Sequence, residues 1–219
     1  GATLSIMVLT SNLSSAIIIA TIPAIMILVV GAPKKFVKQA IFLVALAAIP
    51  MGAYLTLHGD GFRLNRISVW LNPEDNAADG GFQVLQGLYA IGSGGLFGKG
   101  LGQSAQKLGF VPESANDMIF SIICEETGLA GAIILILIFA LLLWRLCVIS
   151  MHCQELSGAL LSAGIMGHLA IQVILNIAVV TNTIPNTGIT LPFISYGGTS
   201  IVFLLGEMGI ALNISRYRK

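Results

Sequence analysis

The acidic residues of this chain cluster where polar sequence gives way to apolar sequence. Residues 106–126 lead from a glycine-rich segment into a long apolar run, and they carry four of the ten acids, Glu113, Asp117, Glu125 and Glu126. A carboxylate at a membrane boundary is costly unless it is solvated, paired or used in chemistry. This stretch is therefore the strongest candidate for a functional site.

Asp117 is the candidate general base. Asp117, Ser121 and Glu125 recur at four-residue intervals, which places them on one face of a helix. At a rise of about 1.5 Å per residue, the two acids would be about 12 Å apart along the axis, farther than the roughly 5 to 9.5 Å between carboxylates that act across one glycosidic bond. The two are therefore not an obvious acid/base pair, and Glu125 is predicted to pair with or orient a deeper group.

A structural role is open for Asp117 as well. The tetrapeptide at 114–117 matches the S-x-x-D pattern of a capping box, with Ser114 as the N-cap and Asp117 at the N3 position of the following helix. A carboxylate there also interacts favourably with the helix dipole. Helix capping and proton transfer can coexist in one residue, so the pattern leaves both roles open.

Four cations, Arg63, Arg66, Lys99 and Lys107, lie in the polar stretch 58–117. Arg63 and Arg66 could hold a short interfacial helix to lipid headgroups, or they could bind an anionic ligand. Lys99 and Lys107 flank a glycine-rich run that fails the phosphate-loop pattern, because Lys99 is followed by glycine and not by Ser or Thr. This run is predicted to form a flexible turn that lies on the membrane and is suited to binding phosphate.

The composition is that of an all-α polytopic membrane protein. Hydrophobic residues make up 56% of the chain and charged residues 10%, with a mean hydropathy of +0.91. The formal net charge of +1 gives no support to nucleic-acid binding through bulk charge. Five apolar runs are predicted to span the membrane within one transmembrane domain that covers the whole chain, at residues 13–30, 40–57, 127–144, 156–180 and 199–214.

The distribution of basic residues predicts the orientation in the membrane. Alternating spans place Arg145, the basic turn at 34–38 and the C-terminal cations on one side, which the positive-inside rule assigns to the cytoplasm. The C-terminus is then cytoplasmic, and the long loop 58–117 is extracytoplasmic. Because the chain starts with Gly1 inside apolar sequence, we expect it to be the C-terminal part of a longer protein.

Two further polar features lie within the spans. His168, Gln172 and Asn176 form a stripe at four-residue spacing, which is predicted to make interhelical hydrogen bonds, with a proton path as the alternative. Glu207, in the middle of the last predicted span, has no obvious partner in the sequence. We expect its partner outside this chain.

Several spaced motifs resemble one known family. The sequence from NPEDNAADGG to IICEETG at 72–128, followed by IPNTGITLPFISYGGTS at 184–200 and LNISR at 212–216, resembles the C-terminal half of the SEDS polymerases, the FtsW/RodA/SpoVE group, and is nearer to FtsW. The resemblance implies ten membrane helices, of which this chain would hold the last five. It departs from the family pattern at Asn116, where a threonine is usual, and at 11–16, where SNLSSA replaces an acid-containing segment.

The resemblance also implies an activity. Members are peptidoglycan glycosyltransferases of the bacterial cytoplasmic membrane that polymerise lipid II at its outer face, with a class B penicillin-binding protein and other divisome or elongasome membrane proteins as partners. The acid of the family motif falls on Asp117, and its preceding lysine and glutamate fall on Lys107 and Glu113. We expect little activity from this half-length chain alone.

The implied chemistry assigns roles to the charged residues. Asp117 would take the proton of the attacking sugar hydroxyl, and Arg63, Arg66, Lys99 and Lys107 are candidates to bind the leaving pyrophosphate. Glu113 and Glu125 complete the candidate substrate-binding set. A divalent cation such as Mg²⁺ or Mn²⁺ is a candidate cofactor, with Asp117 as its ligand.

Two other classes of function compete with the enzyme. A transporter or flippase of a lipid-linked precursor would use Glu207 and the His168 stripe, near the membrane midplane, and would not need Asp117. A scaffold that docks other division proteins would depend on no single outer acid. The long outer loop with its boundary acid favours the enzyme.

Overall fold

The computed structural model describes residues 13–29, 61–106 and 115–216. Every regular element in these ranges is helical. The elements are α1 (Leu13–Val29), α2 (Gly61–Leu71), a 3₁₀ turn (Ala77–Asp79), α3 (Gly81–Gly94), α4 (Ile119–His152), α5 (Leu156–Val180) and α6 (Gly198–Arg216). The predicted span at 40–57 lies outside the described residues, as do Lys107 and Glu113.

Three of the described helices, α4, α5 and α6, are long and apolar enough to cross a membrane. The predicted bounds 156–180 are those of α5, and the predicted bounds 199–214 differ from those of α6 by one residue at the start and two at the end. α1 confirms the first predicted run as a helix and contains Pro23. The all-helical class is thus confirmed, while the count of five spans stays a prediction.

Helix α4 is longer than the apolar run that predicted it. It begins at Ile119 and ends at His152, not at 127 and 144, although Gly128 interrupts it with φ 69° and ψ −168°. The predicted start thus lies next to a kink inside a longer helix. Beyond this kink, residues 129–152 form a helical stretch about 36 Å long at 1.5 Å per residue, enough to cross the roughly 30 Å hydrocarbon layer. The stretch before Gly128, residues 119–127, is a separate short helical piece.

Helix α5 lies at the centre of the described bundle. Small residues on α5 let α1 approach closely, because a Cβ at Gly167 would lie 2.6 Å from Cδ1 of Ile25. On the other side, Ile165 and Leu169 of α5 pack with buried residues of α4 and α6. The central position of α5 explains why its polar residues contact several neighbouring segments.

The predicted outer loop 58–117 is folded over much of its length. Helix α3 buries Val84, Gly87, Ala90 and Gly94. The start of α4 contributes Phe120, Ile122 and Cys124 to a buried cluster, together with the preceding Met118. After α3 the chain turns at Gly95 and returns past the kink of α4, where the amides of Lys99 and Gly100 donate hydrogen bonds to the carbonyls of Glu125 and Glu126, both at 3.0 Å. The glycine-rich run is therefore attached to α4 and is not a free turn.

Two glycines of this run provide a matched test of that contact. Gly98 and Gly102 share a φ of +77°, but a Cβ at Gly98 would overlap the main-chain oxygen of Glu126, whereas a Cβ at Gly102 would meet no atom within 4 Å. Gly102→Ala should therefore cost only the strain of its backbone conformation, about 1–2 kcal/mol. Gly98→Ala should cost clearly more, roughly 3 kcal/mol or above, because the main chain must move. Thermal unfolding in detergent measures both, and equal losses would contradict the close approach.

Candidate active site

Asp117 lies in a turn ahead of α4 and not inside the helix. α4 begins at Ile119 with Met118 as its N-cap, and no side chain caps it. The capping-box prediction, which placed Asp117 at N3, is therefore wrong. The main chain at Met118 is not yet helical, with φ −100° and ψ 10°. Contacts from distant segments hold this turn, and the local sequence pattern does not reveal them.

Hydrogen bonds from α5 and from the link between α5 and α6 hold this turn. Nδ2 of Asn176 donates to the main-chain oxygen of Asp117 at 2.8 Å. Oγ of Ser195 donates to the oxygen of Asn116 at 2.6 Å, and the amide of Tyr196 donates to the oxygen of Ala115 at 2.8 Å. Three consecutive carbonyls of the turn are thereby held by groups from α5 and the link.

The carboxylate of Asp117 is largely buried, with 7% of the residue exposed. Nε2 of Gln83, on α3, donates to Oδ1 of Asp117 at 3.4 Å. Helices α3 and α5 and the link thus converge on one acid at the end of α4. A buried and oriented carboxylate at a helix end can accept a proton from a bound hydroxyl group.

Glu125 lies within α4 and is fully buried. Nζ of Lys99 lies 2.6 Å from Oε1 of Glu125, in an ion pair. The prediction that Glu125 pairs with another group is confirmed, but its partner is Lys99 of the outer stretch and not a deeper group. The same contact places Lys99, a predicted pyrophosphate ligand, against a carboxylate of the protein.

Helix α2 docks on the link between α5 and α6. Nε1 of Trp70 donates to the oxygen of Asn182 at 2.9 Å, and Nη1 of Arg66 donates to the oxygen of Asn186 at 3.3 Å. Arg66 is exposed. Arg63 lies on the same helix, one turn earlier, but its side chain is outside the described part. One link therefore holds both α2 and the turn of Asp117.

The polar stripe on α5 makes interhelical contacts. Nδ1 of His168 lies 2.9 Å from Oε1 and 3.1 Å from Oε2 of Glu207 on α6. The expectation that Glu207 finds its partner outside this chain is therefore wrong, because the sequence does not reveal how α5 and α6 are aligned. The interhelical role of the stripe is confirmed for His168, whereas Asn176 donates to main-chain oxygens of Asp117 and Ile189, which lie outside the helices.

The His168 and Glu207 pair should stabilise the packing of α5 on α6. His168→Ala leaves the carboxylate of Glu207 without this partner in an apolar helix, and the free energy of unfolding should fall by roughly 1–3 kcal/mol. Adding Glu207→Gln to that variant should recover part of the loss, since the unpaired charge is then absent. Thermal unfolding of both single variants and the double variant tests this, and additive losses would argue against a direct pair.

Some contributors to the site were not predicted. Asn176 stood in the polar stripe, but nothing in the spacing linked it to Asp117. The sequence did not mark Gln83 or Ser195 as site residues, because an isolated polar residue in a helix or a link has many ordinary roles. Only the fold brings them together.

Among the described residues, no three His, Cys, Asp or Glu side chains come together in a way that could hold a metal ion. A divalent cation at Asp117 would need further ligands from beyond these residues. Glu113, the nearest other acid in sequence, is not among them. The cation at Asp117 therefore stays a prediction.

Comparison with known proteins shows the family. The FtsW/RodA/SpoVE family model, described as cell cycle protein, matches residues 2–219. Stage V sporulation protein E of Bacillus subtilis is 49% identical over 158 residues, which are 72% of this chain and 43% of that protein. The probable peptidoglycan glycosyltransferase FtsW of the same organism is 40% identical over 212 residues, covering 95% of this chain and 53% of that protein.

Solved structures agree with the sequence comparisons. A chain from a peptidoglycan synthase complex, described as coordinating polymerization and crosslinking, superposes with a TM-score of 0.75 at 28% identity, covering 99% of this chain and 61% of that one. The rod shape determining protein RodA of Thermus thermophilus superposes with a TM-score of 0.61 at 27% identity, covering 99% of this chain and 56% of that one. The chain spans about half the length of the curated relatives it matches. It belongs to the FtsW/RodA/SpoVE family.

Proposed function

We propose that this chain is the catalytic part of a peptidoglycan glycosyltransferase that polymerises lipid II at the outer face of the cytoplasmic membrane. The observation that carries the proposal is Asp117, a buried carboxylate whose turn is held by three main-chain hydrogen bonds at the end of a membrane-spanning helix. The names of the relatives supply the reaction class. The full-length protein is the active form in this proposal.

Asp117 acts as general base in the proposed reaction. A hydroxyl oxygen of one sugar attacks the anomeric carbon of the next, while the bond from that carbon to the lipid pyrophosphate breaks. The carboxylate accepts the hydroxyl proton, and the pyrophosphate leaves with the bonding electron pair. Gln83 orients the carboxylate through its hydrogen bond to Oδ1.

Fixed cations would stabilise the charge that develops on the pyrophosphate. Arg66 is exposed on α2, and α2 docks on the link that also holds the turn of Asp117. Arg63 precedes it by one turn, and Lys107 is implied by the family motif. Lys99 is the weaker candidate, because Glu125 already neutralises its charge. A divalent cation could serve the same purpose with Asp117 as one ligand.

The helix directions support the proposed orientation. Helix α4 carries Arg145 towards its C-terminal end, and α6 ends at Arg216. Asp117 precedes the opposite, N-terminal end of α4. The positive-inside rule then places these arginines at the cytoplasmic side and Asp117 at the outer side, where lipid II would be polymerised. A class B penicillin-binding protein is the proposed partner, alongside other divisome or elongasome proteins.

The test uses the full-length protein with that partner and fluorescent lipid II, with crosslinking blocked by penicillin. We expect glycan strands on a gel, and none from the partner alone. Absence of strands together with movement of labelled lipid II across vesicle membranes would favour the flippase. Absence of both activities would favour the scaffold.

A further inference from the structure

The kink at Gly128 interrupts the hydrogen-bond ladder of α4. Two carbonyls before the kink and two amides after it bond to loop 95–101, which is part of the glycine-rich run. In an unbroken helix these same groups would bond to each other across four residues. The four bonds run from the amides of Leu129 and Ala130 to the oxygens of Gly95 (2.9 Å) and Leu96 (3.1 Å), and from the amides of Lys99 and Gly100 (both 3.0 Å) to the oxygens of Glu125 and Glu126.

These bonds fix the level of loop 95–101 relative to the membrane-spanning part of α4. That part begins at Leu129 and is long enough to cross the hydrocarbon layer. Where water is scarce, the main-chain groups of a broken helix must find partners within the protein. The loop provides these partners at the first turn of the span, which places it at the edge of the hydrocarbon layer.

The large side chains of the loop are apolar and mostly exposed. Leu96, Phe97 and Leu101 are 65%, 84% and 80% exposed. Single exposed apolar residues are ordinary, but three within six residues form a patch that indicates a binding surface. Leu129 and Ile133, at the start of the span, are 53% and 49% exposed as well. The main-chain bonds therefore join the patch to the apolar surface with which α4 enters the membrane.

The one charge in this part of the sequence is directed into the protein. Lys99 is the only charged residue between positions 93 and 106. Its Nζ lies 2.6 Å from Oε1 of Glu125, which is fully buried. A free ammonium group next to Phe97 and Leu101 would oppose contact with hydrocarbon, whereas a paired one costs less there. The pairing of Lys99 thus suits a surface that contacts lipid.

We propose that loop 95–101 is a membrane-contact site whose partner is bilayer lipid. Leu96, Phe97 and Leu101 insert between acyl chains at the edge of the hydrocarbon layer, in the outer leaflet under the proposed orientation. The sequence predicted a flexible turn lying on the membrane. The proposed site differs from that prediction, because its main chain is bonded to α4 and its side chains enter the apolar layer. It goes beyond the proposed function and does not depend on the glycosyl transfer reaction.

Photocrosslinking of the full-length protein tests the lipid contact. The photoreactive residue p-benzoylphenylalanine replaces Phe97, and the protein is reconstituted without its partner in vesicles of radiolabelled phosphatidylglycerol and phosphatidylethanolamine. Ile134, which is 59% exposed in the span, is the positive control. Glu74, which is exposed in the outer stretch, is the negative control. We expect the yield of labelled lipid at position 97 to be within about threefold of that at 134 and at least about fivefold above that at 74.

The other outcomes would overturn the site. A lipid yield at position 97 no higher than at 74 would show that the loop stays in water. A crosslink from 97 to another part of the chain or to a second copy, in place of lipid, would show that protein covers the patch. If the variant at 97 does not fold, Leu101 offers a second position with the same expectation. A wild type that makes no glycan would contradict the proposed function and leave this result unaffected.

Discussion

Replacing Asp117 by Asn is expected to lower the rate of lipid II polymerisation by about 10²–10⁴-fold, the usual contribution of a positioned base. Asn has nearly the same shape and can still accept the hydrogen bond from Gln83, but it cannot take up the proton of the attacking hydroxyl. The fold should survive, because Asn176 binds the main-chain oxygen of Asp117 and not its carboxylate. Initial rates and thermal unfolding of the same preparations measure the two effects.

A matched control is available in the same outer stretch. Asp75 is exposed, and Asp75→Asn removes an equal charge at a position with no assigned role. Its polymerisation rate should stay within twofold of the wild type. If Asp117→Asn kept the wild-type rate, Asp117 would not be the base, and Glu113 would become the next candidate.

Replacing Asn176 by Leu should damage both stability and activity. Asn176 is fully buried, and its Nδ2 donates to the main-chain oxygens of Asp117 at 2.8 Å and Ile189 at 2.7 Å. Leu fills a similar volume but leaves both carbonyls without this donor. Each lost partner costs about 1–3 kcal/mol, and removal of Oδ1, which accepts no hydrogen bond among the described residues, offsets part of the loss, so the free energy of unfolding should fall by roughly 2–5 kcal/mol. Polymerisation by the folded fraction should fall at least tenfold, because the turn of Asp117 loses a restraint.

Gln172 is the matched control on the same helix, one turn earlier. Its Oε1 is buried and accepts no hydrogen bond within the described residues. Gln172→Leu therefore removes a buried oxygen that has no hydrogen-bond partner among the described residues. The free energy of unfolding should fall by less than about 1 kcal/mol or even rise. Similar losses of stability for the two variants would show that Asn176 does not hold the turn in the way inferred here.

Hydropathy predicted the membrane helices well where the apolar run and the helix coincide. The bounds of α5 were predicted to the residue, because the run has polar residues at both ends. Those of α4 were not, because its first turns carry Glu125 and Glu126, which resemble a loop in sequence. Burial of Glu125 against Lys99 and Ser104 depends on tertiary contacts, which a hydropathy pattern does not contain.

The sequence singled out Asp117 as the candidate base but did not reveal its surroundings. Asp117 stood out through its place at the boundary and through the family motif, yet the local pattern suggested a cap that the structure does not form. The partners of Glu125 and Glu207 come from residues 26 and 39 positions away in sequence. Periodicity within one helix cannot reveal such pairs, because they depend on how neighbouring segments are aligned.

The same limit applies to the glycine-rich run. Sequence suggested a flexible turn on the membrane, whereas the structure attaches it to α4 through Gly98, where a side chain would overlap the main chain of Glu126. Glycine is compatible with both a mobile loop and a close backbone contact. Which of the two forms depends on the segment that approaches the glycine, and here that segment is the part of α4 around the kink at Gly128.

The central claim is that the carboxylate of Asp117 is the base. Its most direct test is to measure substrate binding and turnover in the same preparations. The full-length wild type and Asp117→Asn would be compared, with their partner, for the Kd of lipid II and for glycan formed under single-turnover conditions. We predict a Kd within threefold of the wild type and a rate of glycan formation lower by at least 10²-fold, the lower end of the effect of a lost base. Glycan formation at the wild-type rate would contradict the account, as would a loss of turnover explained entirely by weaker binding.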